Sequence, residues 1–186
     1  MARKRLVRRA IASLLVTTLV LALAPSVAAF HTLGGKWSSV YNLPYWYYTS
    51  VAVDRTAYGS AIGDWNGTAT PIWMVSAGHV DYEDVGLFNT TNSGVGWDGL
   101  TFLSPSNSAN PYTYAQVTLN NYYTGAYSAA QRRSVAGHEL GHVFGLAHES
   151  GSVLMNPYTC GANSRWCTYS INTPTGDDVN GINAIY

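Results

Sequence analysis

The chain has 186 residues, with ten Lys and Arg against ten Asp and Glu, 11% charged, 47% hydrophobic and 13% aromatic. Such a composition excludes a disordered chain and fits one compact domain. The neutral total hides an asymmetry, because Arg3, Lys4, Arg5, Arg8 and Arg9 supply half of the basic charge within the first nine positions.

That basic start runs into an apolar stretch over residues 10–24 and then into Pro25, Ser26 and the small residues Val27, Ala28 and Ala29. This is the order of a secretory signal, with cleavage after Ala29. Fifteen helical residues span about 22 Å against a hydrocarbon core of roughly 30 Å, which is short for an anchor. The expectation is therefore a signal over residues 1–29 and a single domain over 30–186, secreted and extracellular, with no stable membrane association once the signal is removed. Beyond Ala29 five basic residues face ten acidic ones, a net charge near −5 that argues against nucleic acid as a partner. A monomer is expected. In an exported protein the two cysteines, Cys160 and Cys167, read as a local disulfide, and their spacing is unlike a zinc knuckle.

Along the domain, aromatic and β-branched residues predict a strand over 45–53. A short helix over 55–65 follows, stopped by Asn66 and Gly67. Further strands are predicted over 71–76, 85–90, 100–103 and 112–119, separated by Gly, Asn and Ser clusters. Ser128, Ala129, Ala130 and Gln131 have the S-x-x-Q form of a capping box and open a long helix running to Phe144. Thr175, Gly176, Asp177 and Asp178 form a second N-cap with acids in the first turn. A last helix then presents Val179, Ile182, Ala184, Ile185 and Tyr186 as its apolar set. No repeat or linker divides the domain, and strands first with helices late describe an α+β class.

The long helix contains His138-Glu139-Leu140-Gly141-His142, followed by Gly145 and His148, a complete H-E-x-x-H-x-x-G-x-x-H. Residues four apart share a helix face, so His138 and His142 reach one ion. A third ligand from the same helix would face away, so the chain must turn, and Gly145 permits the positive φ that swings His148 back. Three neutral imidazoles leave a fourth position for water, the pattern of a catalytic zinc site. Glu139 is placed about 100° round the helix from His138, as general base toward that water and proton donor to the leaving amine.

The zinc motif, with Ser152-Val153-Leu154-Met155-Asn156-Pro157 after it, resembles the metzincin metallopeptidases and most closely their matrixin branch. The resemblance implies a mixed twisted sheet with an active-site helix, a Met-turn and a C-terminal helix, extending at fold level over residues 37–186. It implies that Met155 lies beneath the imidazoles as an apolar floor, that Pro157 and Tyr158 belong to the substrate pocket, and that residues 92–97 supply the sheet edge on which a peptide lies antiparallel. It also implies a pairing of the Phe30 ammonium with Asp177 or Asp178. Three features depart from the matrixin pattern: Glu149 directly after the third His, Tyr158 directly after Pro157, and no cysteine ahead of Cys160 to act as a latency switch. The expectation is a chain without an inhibitory propeptide.

Other signals are weaker in content. His79-Val80-Asp81 resembles the start of the structural zinc site of matrixins, whose other histidines have no counterpart here. Asp81, Glu83, Asp84 and Asp98 form a candidate calcium set of carboxylates. Fourteen Tyr and six Trp serve mainly sheet and core packing, with exposed ones available to grip a polysaccharide or an extended peptide. The function expected is a secreted zinc endopeptidase acting on a protein or peptide substrate. The alternatives are a zinc amidase on cell-wall peptides and a non-catalytic zinc-containing binding module, against which the retained Glu139 counts.

Overall fold

In the computed structural model the described residues are 30–186, so the export segment expected over 1–29 lies outside them. Strand β1 (Tyr41–Tyr47) pairs in parallel with β2 (Trp73–Ser76) on one side and with β3 (Val85–Thr90) on the other. β3 pairs in parallel with β5 (Tyr114–Asn120), and β4 (Gly99–Ser104) lies antiparallel to β5 at the edge. The resulting order is β2-β1-β3-β5-β4. Parallel neighbours need crossovers, and the one from β1 to β2 is helix α1 (Ala52–Asn66). A 3-10 turn over Val80–Tyr82 leads into β3, the short α2 (Asn121–Thr124) follows β5, and then come α3 (Ala129–Val143) and the closing α4 (Gly176–Ile185). This is the α+β, metzincin-like architecture expected from the sequence.

The strand expected over 45–53 is corrected at its end. The N–H groups of Tyr48 and Thr49 both donate to the Leu87 carbonyl, at 2.9 and 3.0 Å, which turns the chain out of the sheet. The Val51 carbonyl then accepts from Asp54 and Arg55, so Ala52 and Val53 open α1 instead of extending a strand. Their β propensity yields to a tertiary demand: Asp54, in the first turn of α1, is fully buried and paired with Arg132 of α3 at 2.6 Å.

Helices α1 and α3 pack against each other over the sheet. The Trp65 indole N–H donates to the Gly137 carbonyl at 3.0 Å, and its ring meets Phe144 edge-on with centroids 5.3 Å apart. Tyr58, wholly buried, sends its hydroxyl to the Phe88 carbonyl at 2.7 Å and so ties α1 to β3. With Leu87, Leu119, Leu140 and Ile182 these side chains make one core, each contributing roughly 1.5–3 kcal/mol by leaving water. Ala184, expected in the apolar set of the last helix, is exposed instead, while Ile182 is buried and Ile185 packs at the margin. The aromatic residues divide as expected: Trp37, Tyr58, Trp65 and Tyr112 enter the core, whereas Tyr41, Tyr82, Tyr122 and Tyr158 remain exposed on four separate segments.

The N-terminal segment runs under the end of α3. Leu33 N–H donates to the Gly145 carbonyl at 2.8 Å, Ala147 N–H to that of His31 at 2.9 Å, and the Trp37 indole to that of Val143 at 2.8 Å. These contacts fix the turn that carries His148, with the Trp37 bond satisfying a carbonyl the helix end leaves free.

Candidate active site

His138 and His142 stand one turn apart on α3. The Nδ1 of His138 lies 2.9 Å from the Leu154 carbonyl, and that of His142 2.8 Å from the Leu146 carbonyl. A carbonyl accepts only, so each Nδ1 carries the proton and each Nε2 is left as a bare lone pair. The two Nε2 atoms are 3.2 Å apart. Two lone pairs facing each other at that distance repel unless a cation joins them, and two nitrogens on one tetrahedral zinc at its usual bond length would stand about 3.3 Å apart.

The third imidazole arrives as the motif predicts. Gly145 has φ +93°, a conformation that L side chains rarely adopt, and a Cβ there would lie 2.7 Å from the Gly35 carbonyl. After this turn the His148 ring centroid is 5.2 Å from that of His138 and 4.8 Å from that of His142. The potential ligand atoms of the three lie within 4.8 Å of one another, a convergence of His, Cys or carboxylate groups found nowhere else among the described residues. Burial pushes His138 well below the ordinary imidazole range, His142 down to about 4, and His148 down as well, with Arg165 adding to each. All three are thus neutral near pH 7, as metal ligation requires.

Glu139 is buried beside them at 4% exposure. Its Oε2 accepts from the Thr101 hydroxyl of β4 at 2.8 Å, and that hydroxyl also reaches the Glu139 backbone carbonyl at 2.9 Å. Burial pushes the carboxyl up to about 7, opposed by the Thr101 bond and by Arg165 and reinforced by Asp98. A divalent cation on the imidazoles would draw it down again. A carboxylate near neutrality is suited to both taking up and releasing a proton.

Met155 lies under the histidine helix at 2% exposure. Gly141 admits it, since a Cβ at that position would stand 2.3 Å from the Met155 sulfur. The turn bearing Met155 is held by Asp178, whose Oδ2 accepts from Leu154 N–H at 3.1 Å and whose Oδ1 accepts from Met155 N–H at 3.2 Å. The same Oδ2 accepts from the Thr175 N–H and hydroxyl, both at 2.7 Å, so the expected N-cap of the last helix is also the anchor of this turn.

A cleft of about 540 Å³ joins these groups to the predicted pocket residues Pro157 and Tyr158, with β4 along one wall. The disulfide Cys160–Cys167 closes the loop behind them. Residues 92–97, expected to give the peptide-binding edge, form a non-strand loop tied to Asn120, whose side chain bonds to Asn92 N, Asn92 O and Trp97 O at 2.8 to 3.1 Å. The edge is β4 itself. Four residues of the site escaped the sequence reading in these roles: Thr101, Asp98, Asp178 as anchor, and Arg165. Only Arg165 carried a signal, as the single Lys or Arg after Arg133, set between the two cysteines.

The four acids considered for calcium do not converge. Asp98 stands in the cleft and accepts from the Tyr127 hydroxyl at 3.1 Å, while Glu83 accepts from Tyr48 at 2.6 Å and Asp81 pairs with His79 at 3.2 Å. His79 and Asp81 are exposed and gather no further ligand among the described residues.

The matrixin family pattern matches residues 64–186, which takes in the zinc-ligand constellation, the Met-turn and the closing helix. The chain belongs to the matrixin family. This places it among zinc-dependent metalloproteases and agrees with the resemblance read from its motif. Among solved structures it is similar to high choriolytic enzyme 1, a hatching-enzyme zinc-protease from the medaka fish Oryzias latipes. The identity is 14% and the TM-score 0.48, over 87% of this chain and 96% of that one. No curated protein matches the sequence. Among the described residues of this matrixin no helix is long and apolar enough to cross a membrane.

Proposed function

We propose that this matrixin is a secreted, monomeric zinc endopeptidase whose domain spans residues 30–186, with His138, His142 and His148 as ligands and Glu139 as general base. When bound, zinc supplies a Lewis acid that acidifies water and polarises the scissile carbonyl. The substrate peptide lies antiparallel to β4, which has a free hydrogen-bonding edge on the side away from β5, so backbone pairing holds it whatever its sequence. Glu139 takes a proton as water adds to the carbonyl carbon and delivers it to the nitrogen as the C–N bond breaks. Thr101 orients the carboxyl for both transfers, and Met155 gives the imidazoles a firm apolar base. Pro157 and Tyr158 wall the pocket for a substrate side chain.

The observation that carries this reading is the buried Glu139 carboxyl, held by Thr101 of the edge strand beside imidazoles whose Nε2 lone pairs face one another. A binding module has no use for such an arrangement. The proposal extends to the N-terminal residue that cleavage after Ala29 would free. Phe30 lies against Gly181 of α4, the helix whose first turn carries Asp177 and Asp178. Its ammonium would pair with one of these two acids, as the resemblance to matrixins implies.

The test is digestion of an unfolded protein by the purified enzyme, with and without a zinc chelator, beside Glu139→Ala carrying the same zinc. Cleavage that stops with chelator and falls about 10²–10⁴-fold in the variant is the expected outcome. A folded, zinc-loaded protein that cuts nothing overturns the endopeptidase reading, and purified wall material then becomes the substrate to try.

A further inference from the structure

The cleft holds a buried cation that the proposed mechanism does not use. Arg165 is 1% exposed and lines the cleft beside His138, Glu139 and Pro157. Its Nη1 donates to the Asn156 carbonyl at 2.9 Å and its Nη2 to the Thr159 hydroxyl at 2.5 Å, while its Nε, also buried, has no partner. Both partners are neutral. Among the described residues Arg165 makes no ion pair, although Arg132 pairs with Asp54 and Arg133 with Asp64.

A buried guanidinium with an orphan donor is costly to maintain without an anion. Burial already weakens its hold on its proton, a pull resisted by Asp98 and, after it, by Glu139, whose carboxylate is held by Thr101 and makes no ion pair with the guanidinium. Asp98 also lines the cleft, but it stands outside ion-pairing distance and is engaged by the Tyr127 hydroxyl at 3.1 Å. The missing anion is therefore one that enters with the substrate. Its place along the substrate follows from β4. The Gly99 end of that strand is next to Asp98, which shares a surface hollow with Pro157, Tyr158 and Thr159, while Leu103 and Asn107 lie toward the other end of the cleft. A peptide antiparallel to β4 brings its C-terminal half to the Gly99 end, and so to Arg165.

We propose that Arg165 makes this enzyme selective for substrates bearing Asp or Glu immediately after the cleaved bond, the side-chain carboxylate completing the hydrogen bonding of the guanidinium. The inference rests on the endopeptidase reading for the position it names, and on the structure alone for the charge it names. A hydrogen-bonded charge pair of this kind discriminates against the neutral isostere by about 10- to 100-fold.

The test uses C-terminally amidated peptides, so that no chain-end carboxylate competes, identical except for Glu, Gln or Leu after the cut. The native enzyme is expected to show a kcat/KM about 10- to 100-fold higher for Glu than for Gln. Arg165→Gln should bring that ratio near one, and Arg165→Lys should retain part of it. A native enzyme that treats Glu and Gln alike, or prefers Leu, overturns the proposal without any variant having to fold. A second readout is independent of cleavage: the Kd of the same peptides for zinc-loaded Glu139→Ala protein. Tighter binding of the Glu peptide that vanishes on adding Arg165→Gln supports the proposal even if the native protein cuts nothing, in which case only the endopeptidase reading fails. Equal binding of Glu and Gln peptides overturns it.

Discussion

Two regions of this matrixin each bury an arginine, and they treat it in opposite ways. In the seam between α1 and α3, Arg132 is met by the Asp54 carboxylate at 2.6 Å and donates to the Thr124 carbonyl at 2.6 Å, while Asn121 donates to the other Asp54 oxygen at 2.7 Å. Every strong group there has a partner supplied by the fold. In the wall of the cleft, Arg165 finds a carbonyl, a hydroxyl and no carboxylate within pairing distance. The first arrangement is closed and serves architecture. The second is left incomplete by the fold, and incompleteness in a cleft is what distinguishes a place meant for a ligand from one meant for stability.

The comparison is broken most forcefully at its closed end. Asp54→Ala would leave Arg132 buried without its counter-ion, and a loss of about 3–5 kcal/mol is expected from urea unfolding. Activity per folded molecule should hardly change, because neither Asp54 nor Arg132 lines the cleft. The double variant Asp54→Ala with Arg132→Met, which removes both charges, should recover much of the loss. If it is no more stable than the single variant, the seam depends on shape and not on charge balance.

A smaller effect is expected where one helix serves both regions. Gly141 of α3 faces Met155, and the methyl of Gly141→Ala would press on the sulfur from 2.3 Å while sitting 3.4 Å from the Trp65 ring. Overpacking here should cost about 1–3 kcal/mol. Since Met155 underlies the imidazoles, kcat/KM should fall with it. A drop in thermal stability with kcat/KM untouched would show that Met155 is packing alone and has no part in placing the ligands.

The sequence made the open region more legible than the closed one, for a physical reason. Zinc ligation by a helix and a turn is local, so the spacing of His138, His142, Gly145 and His148 suffices to state the geometry. Strand β3 is equally readable because its short apolar run is bounded by polar clusters. What spacing does not carry is contact between distant segments. Nothing near Val51 announces that α1 starts at Ala52, because the decisive partner of Asp54 is 78 residues away. The loop at 92–97 reads as an edge until Asn120 is seen to hold it. Arg165 looks like an ordinary loop cation until the segment closed by Cys160 and Cys167 folds inward and buries it.

The least effect tests whether the start of the catalytic helix belongs to the seam or to the cleft. The capping box expected at Ser128 is only half formed: its hydroxyl oxygen accepts from the Gln131 N–H at 3.2 Å, but the Gln131 side chain turns away to the Cys160 sulfur at 3.4 Å. By contrast α4 is bound by Asp178 at Thr175, and α1 begins with no side-chain cap at Val51. Ser128→Ala should therefore remove one backbone partner and cost about 1 kcal/mol, read as a lower urea midpoint with an unchanged slope. Because His138 lies nearly three turns along α3 and its orientation is fixed by the Leu154 carbonyl, kcat/KM should stay at the native value. A fall in kcat/KM would mean that order at the start of α3 is transmitted along the helix to the imidazoles, and that the two regions are less separable than their arginines suggest.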